Sequence, residues 1–203
     1  MKIICIGCNY ADHAKELKCV VPKEPIFFLK PDSAIYTRKQ AYYKPEFTND
    51  FQYECEIVLR IGRVGKCIDK DFAENYIDGI GIGFDFTARD LQQKAQKAGL
   101  PWEIAKAFDF SAPISQFIDV KEFENINNID FSLQKNGKIV QKGNTKDMIF
   151  SHADIISYVS QYMTIKIGDL FFTGTPAGVG EAEIGDRFEA YIGDKKMLTI
   201  KIV

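Results

Sequence analysis

Two glutamates one residue apart, Glu54 and Glu56 in Tyr-Glu-Cys-Glu-Ile, precede by about thirty residues an aspartate, Asp85, that opens Asp-Phe-Thr-Ala-Arg-Asp-Leu-Gln. Three carboxylates in this layout suit a divalent cation. In an extended chain, residues i and i+2 share a face, so Glu54 and Glu56 project together while Cys55, Ile57, Leu59 and Ile61 form a uniformly apolar opposite face. Two acids at neighbouring positions of one face repel unless a cation lies between them. All-oxygen ligation suits hard ions such as Mg2+, Mn2+ or Ca2+, and three ligands leave about half of an octahedral shell open to water and substrate. The same Glu-x-Glu pair, taken alone, also fits the solvated face of an edge strand.

Nearer the N-terminus, His13 and Glu16 stand three apart, which on a helix brings imidazole and carboxylate to one face. Such a pair can act as a general-base dyad on a water, the carboxylate fixing the tautomer and raising the basicity of the ring. An ordinary exposed ion pair has the same spacing. The chain's other histidine, His152, follows Ser151 at a helix start and reads as structural. Cys5 and Cys8 form a Cys-x-x-Cys, but no second pair, suitably spaced histidine or thioredoxin-like context accompanies it, so neither zinc nor redox chemistry is assigned there.

Short elements of both kinds must hold these residues. Strand-like runs cover 1–6, 26–29, the acidic segment 53–62, 77–86, 169–173, 187–192 and 197–203. Helices are expected over 10–18, over 87–98 closed by Gly99 and Pro101, and over 152–162 behind Ser151 as N-cap. Asn136-Gly137 marks a hairpin over 130–141, and Gly178-Val179-Gly180 and Gly193-Asp194 mark turns. Residues 31–52 are irregular and aromatic. Strands outnumber helices without regular alternation, which predicts an α+β fold around a mixed, curled sheet.

At 203 residues and 46% hydrophobic content, the chain is expected to form one domain spanning 1–203. With 26 basic and 28 acidic residues there is no electrostatic footprint for nucleic acid or an anionic membrane, which points to a small-molecule partner. Five cysteines are an odd number, and Cys5, Cys55 and Cys67 sit in apolar, strand-like surroundings, which argues for a reducing compartment. No signal-peptide pattern is present and no run approaches the roughly 20 apolar residues of a membrane span, so a cytoplasmic location is expected.

Seven blocks, in order, carry a family resemblance: G-x-N-Y-x-x-H-x-K-E-L, F-L-K-P-x-S-A, E-x-E-x-x-L-x-I-G, D-x-T-A-R-D-L-Q, G-L-P-W-x-x-A-K-x-F-D, N-G-x-x-x-Q-x-G-N-T-x-x-M-I-F and G-D-L-F-F-T-G-T-P-A-G-V-G. The chain resembles the fumarylacetoacetate hydrolase family along nearly its whole length, and most closely the single-domain acylpyruvase and oxaloacetate decarboxylase branch. The resemblance implies a mixed β-sandwich roll with short peripheral helices, a homodimer, and Mg2+ or Mn2+ held by Glu54, Glu56 and Asp85, with Ca2+ an alternative occupant. It makes His13 and Glu16 the dyad of a lid over about residues 8–18, Lys106 the catalytic lysine, and Gln92 and Thr175 substrate-binding residues.

Each assignment has a physical counterpart. A keto acid can chelate a cation through adjacent carboxylate and keto oxygens, and cleavage to a pyruvate enolate develops charge that the metal and Lys106 would hold. Thr173–Gly178 offers a hydroxyl and close backbone approach for a carboxylate. The implied activity is hydrolysis of a C–C bond in acylpyruvates such as acetylpyruvate or fumarylpyruvate. The alternatives are oxaloacetate decarboxylation and 2-hydroxyhepta-2,4-diene-1,7-dioate isomerisation. A non-enzymatic metal-binding descendant of the fold is disfavoured by complete retention of dyad, triad and lysine. Cys8 stands where this branch commonly carries arginine, which bears on substrate choice. Tyr53 precedes the first ligand where some members carry histidine.

Overall fold

The structure is a computed structural model and describes residues 1–16, 21–36 and 41–203. Its core lies between two sheets. Six strands, in the order Ile26–Lys30, Ile3–Gly7, Leu170–Phe172, Cys55–Ile61, Ile77–Phe84 and Ile118–Asp119, form a mixed sheet. In it only Ile3–Gly7 and Leu170–Phe172 run parallel. Four antiparallel strands, in the order Lys138–Asn144, Asp130–Lys135, Arg187–Ile192 and Lys195–Lys201, form the second sheet.

Alternation in sequence dictates how they pack. Phe131, Leu133, Phe188 and Ala190 of the four-stranded sheet meet Ile57, Leu59, Ile61, Ile82 and Phe84 of the six-stranded one in a single buried cluster. A one-residue slip of Cys55–Ile61 would turn this apolar set away from its partner, so the core fixes the register. On the sheet's other side Ile3, Cys5, Val58, Leu170 and Phe172 form a smaller cluster with Ala34, Ala112 and Ile114. The fold is the expected α+β mixed roll.

Two local departures matter for the site. The acidic strand expected over 53–62 is broken: Phe51–Tyr53 pairs with Thr87–Ala88 and Gly180–Glu181, Cys55–Ile61 lies in the six-stranded sheet, and Glu54 sits at the break. Cys55–Ile61 is moreover a central strand with Cys55 through Leu59 all buried. The solvated edge-strand alternative therefore fails. Glu54 is 5% exposed and Glu56 is 1%.

The helices follow their end signals. Helix α1 spans Ala11–Glu16, and the expected continuation to residue 18 lies outside the described residues. Helix α2, Arg89–Ala98, starts later than the pattern suggests because Thr87 and Ala88 pair with Gln52 and Phe51, and it ends at Gly99 with φ 64°. A single turn, α3, Glu103–Lys106, was not anticipated. Helix α4, His152–Tyr162, is closed by a capping box between Ser151 and Asp154. Asn136 and Gly137 turn the expected hairpin with φ 54° and 79°, the signs a type I′ turn requires. Among the described residues, no helix is long and apolar enough to cross a membrane.

Candidate metal and active site

Strand register brings the three carboxylates together. Cys55 pairs with Phe84 across the central antiparallel ladder, so Glu54 and Asp85, each one residue beyond a strand end, become neighbours, and the Asp85 N–H donates to the Glu54 carbonyl at 2.8 Å. One carboxylate oxygen from each of Glu54, Glu56 and Asp85 lies within 4.8 Å of the others, and all three residues are buried. They line a cleft of about 110 Å³ that also borders His13, Gln92, Lys106 and Thr175. Glu16 contacts His13 and does not itself line the cleft.

Three cations face the three acids. Lys106 Nζ donates to Glu54 Oε2 at 2.8 Å, Asp85 Oδ2 at 2.8 Å and Thr87 Oγ1 at 2.7 Å. Arg89 donates to the other Glu54 oxygen, to Gln52 Oε1 at 2.8 Å and to Gln92 Oε1 at 2.6 Å. Lys30, whose side chain is wholly buried, lies 2.8 Å from Asp85 Oδ1, yet its hydrogen bonds go to Ser111 and the Lys106 carbonyl. Asp85 Oδ1 is thus paired with a buried ammonium, and Asp85 Oδ2 with a second one on Lys106. Sequence reasoning missed Lys30 and Arg89. The available signals were a lysine ending an otherwise apolar strand before Pro31, and an arginine inside the block that Asp85 opens.

The charges divide the acids. Burial pushes Glu54 upward, but Lys106, Arg89 and His13 outweigh it and hold this carboxyl well below the usual range. Glu56 is driven well above that range by burial, Asp85 and Glu54, against which Gly174 N–H at 2.8 Å is a weak counterweight. Burial lowers Lys106, but Asp85 and Glu54 raise it further, so this lysine stays charged, with its three protons committed. It is a fixed positive charge and not a base. The donor set, three buried carboxylates with an oxygen of each within 4.8 Å of the others, fits a hard divalent cation.

His13 Nδ1 lies 3.4 Å from Glu16 Oε2, and both Glu16 oxygens are 3.2 Å from the Gly178 N–H. Burial lowers the His13 pKa, so its imidazole is neutral at neutral pH. Thr175 Oγ1 donates to the Cys55 carbonyl at 2.8 Å and accepts from Gln141 Nε2 at 2.8 Å, so its proton is committed to the protein. Cys8 borders the cleft with φ 54°. Cys5 is a buried thiol whose pKa burial raises. Tyr53 packs against Phe188 with ring centroids 5.0 Å apart. His152 is fully buried and does not border the cleft.

A mixed β roll carrying a buried carboxylate triad, a fixed lysine and a neutral histidine at one cleft defines the class. Over residues 2–203 the chain matches the fumarylacetoacetate (FAA) hydrolase C-terminal family, and it belongs to that family of enzymes. It is 39% identical over 203 residues to oxaloacetate tautomerase YcgM of Escherichia coli (strain K12), covering 100% of this chain and 92% of that protein. It is 41% identical over 185 residues to the mitochondrial oxaloacetate decarboxylase of Dictyostelium discoideum, covering 91% and 85%. The crystal structure of fumarylpyruvate hydrolase from Pseudomonas aeruginosa in complex with Mn2+ and pyruvate matches with a TM-score of 0.95 at 36% identity, covering 100% of this chain and 89% of that one.

Proposed function

We propose that this chain is a divalent-metal-dependent hydrolase of acylpyruvates such as acetylpyruvate or fumarylpyruvate, with Mg2+ or Mn2+ on Glu54, Glu56 and Asp85. The observation that carries this reading is the neutral, buried His13, held by Glu16 at the same cleft as the triad. With Nδ1–H directed to Glu16, Nε2 keeps a lone pair and can take a proton from water. Hydroxide then adds to the distal acyl carbonyl, the C–C bond breaks toward pyruvate enolate, and the proton held by His13 goes to the enolate carbon. A bound divalent cation would supply Lewis acidity to the keto and carboxylate oxygens of the substrate. Lys106 and Arg89 keep positive charge next to the site where enolate charge develops. Gln92, whose carbonyl oxygen is taken by Arg89, keeps its amide N–H groups for the substrate.

A second reading is oxaloacetate turnover, by tautomerisation or decarboxylation. It is favoured by the named activities of the two relatives above, and by the fact that a neutral imidazole can move a carbon-bound proton without any water. Buried Cys5 and Cys55, which form no disulfide, support a reducing compartment, and we place the protein in the cytoplasm.

Parallel turnover of acetylpyruvate and oxaloacetate, with and without Mg2+, tests the choice. His13→Ala is expected to lose about 10²–10⁴-fold in acetylpyruvate hydrolysis and less in oxaloacetate decarboxylation. Lys106→Ala should depress both. Equal losses in His13→Ala would remove the dedicated water-activating role. A wild-type enzyme that turns over oxaloacetate and leaves acetylpyruvate intact would establish the second reading.

A further inference from the structure

Gln141 lies on Lys138–Asn144 of the four-stranded sheet and is 2% exposed, yet its side chain bonds to the site rather than to its own sheet. Its Oε1 accepts at 3.0 Å from Cys55 N, the peptide N–H between the ligands Glu54 and Glu56. Its Nε2 donates to Thr175 Oγ1 at 2.8 Å and to the Pro176 carbonyl at 2.9 Å. Thr175 Oγ1 in turn donates to the Cys55 carbonyl at 2.8 Å. The result is a closed ring in which both backbone polar groups of Cys55 are bound by side chains. Only a carboxamide of this length accepts at one end and donates twice at the other, and the partners fix which end is which.

The ring sits where control of geometry is needed. Cys55 begins its strand at the break that leaves Glu54 between two ladders, that of Phe51–Tyr53 and that of Cys55–Ile61, so the Cys55 peptide is the link that sets Glu54 relative to Glu56. The adjacent Gly174 N–H binds Glu56 Oε2, so the Thr173–Pro176 turn that Gln141 grips also holds the second ligand. We infer that Gln141 is a positioning residue of the metal site, setting the relative placement of Glu54 and Glu56 through the Cys55 peptide and Thr175 while touching neither ion nor substrate. This inference rests on the metal reading above.

Gln141→Met keeps length and volume and removes all three bonds. Mn2+ binding to metal-free protein, followed by the paramagnetic resonance signal of free Mn2+, gives an affinity with no turnover involved. Gln141→Met is expected to bind about 10–100-fold more weakly, the usual loss for a partner one shell behind the ligands. Thr175→Val should weaken binding likewise, and Thr175→Ser, which keeps the hydroxyl, should restore it. The double variant Gln141→Met/Thr175→Val should lose no more than the worse single one, because both break one ring.

A glutamine that serves folding alone would lower the melting temperature and leave the Mn2+ affinity of the folded protein unchanged; that result overturns the inference, as do additive losses. If Gln141→Met does not fold, the comparison of Thr175→Val with Thr175→Ser decides, and equal affinities overturn it. Failure of the wild-type protein to bind Mn2+ would sink the metal reading itself, and this inference with it. Wild-type binding that Gln141→Met leaves intact would sink this inference alone.

Discussion

His152 is buried without a hydrogen-bond partner at either ring nitrogen among the described residues, and burial pushes its pKa down to about 4. The unfolded chain takes up this proton near pH 6.5, the folded one only near pH 4. Stability from the neutral ring is therefore complete above pH 6.5 and is lost as pH falls from there toward 4, by about 1.4 kcal/mol per pH unit. Between pH 7 and pH 5 this residue should cost about 2 kcal/mol. His152→Phe, which cannot take the proton, is expected to show a correspondingly smaller drop in unfolding free energy by urea titration over that interval. A drop equal to that of the wild type would show that His152 finds a partner.

At the scale of elements, two glycines in left-handed backbone separate conformation from space. Gly99 ends α2 with φ 64°, and a Cβ added there would meet nothing within 4 Å, so Gly99→Ala should cost only about 1 kcal/mol. Gly178 has φ 99°, and its Cβ would lie 2.1 Å from the Val140 carbonyl oxygen, on the strand that carries Gln141. Strain of about 1–3 kcal/mol and overpacking of about 1–3 kcal/mol then add. The forced shift would also draw the Gly178 N–H from Glu16 and slacken the hold on His13. Denaturant titration of both variants checks the contrast. Similar losses at the two glycines would mean that the strand beside Gly178 yields freely.

For the whole molecule, the raised carboxyl of Glu56 links cation binding to folding and to pH. At a Mn2+ concentration 100 times its dissociation constant, binding should stabilise the fold by about 2.7 kcal/mol, or about 5–10 °C in melting temperature for a chain of this length. Cation and proton compete for Glu56, so the shift should shrink as pH falls through the raised range of this carboxyl. Glu56→Ala should show no shift at any pH, and a shift equal to the wild type's would remove Glu56 from the ligand set. The protein is expected to be a homodimer, with a light-scattering mass of twice 23.0 kDa. A mass of one chain at micromolar concentration would rule this out.

The chain's own order was enough for the Glu54–Glu56 pair, the contact of His13 with Glu16, the hairpin at Asn136-Gly137 and the cap at Ser151, because each depends on residues a few positions apart whose geometry is fixed by backbone period or local hydrogen bonding. It could also separate the apolar face of Cys55–Ile61 from its acidic one. It could not reveal that this strand is central, that Glu54 falls at a break, that Lys30 and Arg89 converge on the carboxylates, or that Gln141 bonds the Cys55 peptide between two of them. Gln141 reaches Cys55 across 86 positions of sequence and Lys30 reaches Ser111 across 81. Those meetings follow from which strands become neighbours. The buried apolar area of the whole core decides that, and no local pattern states it.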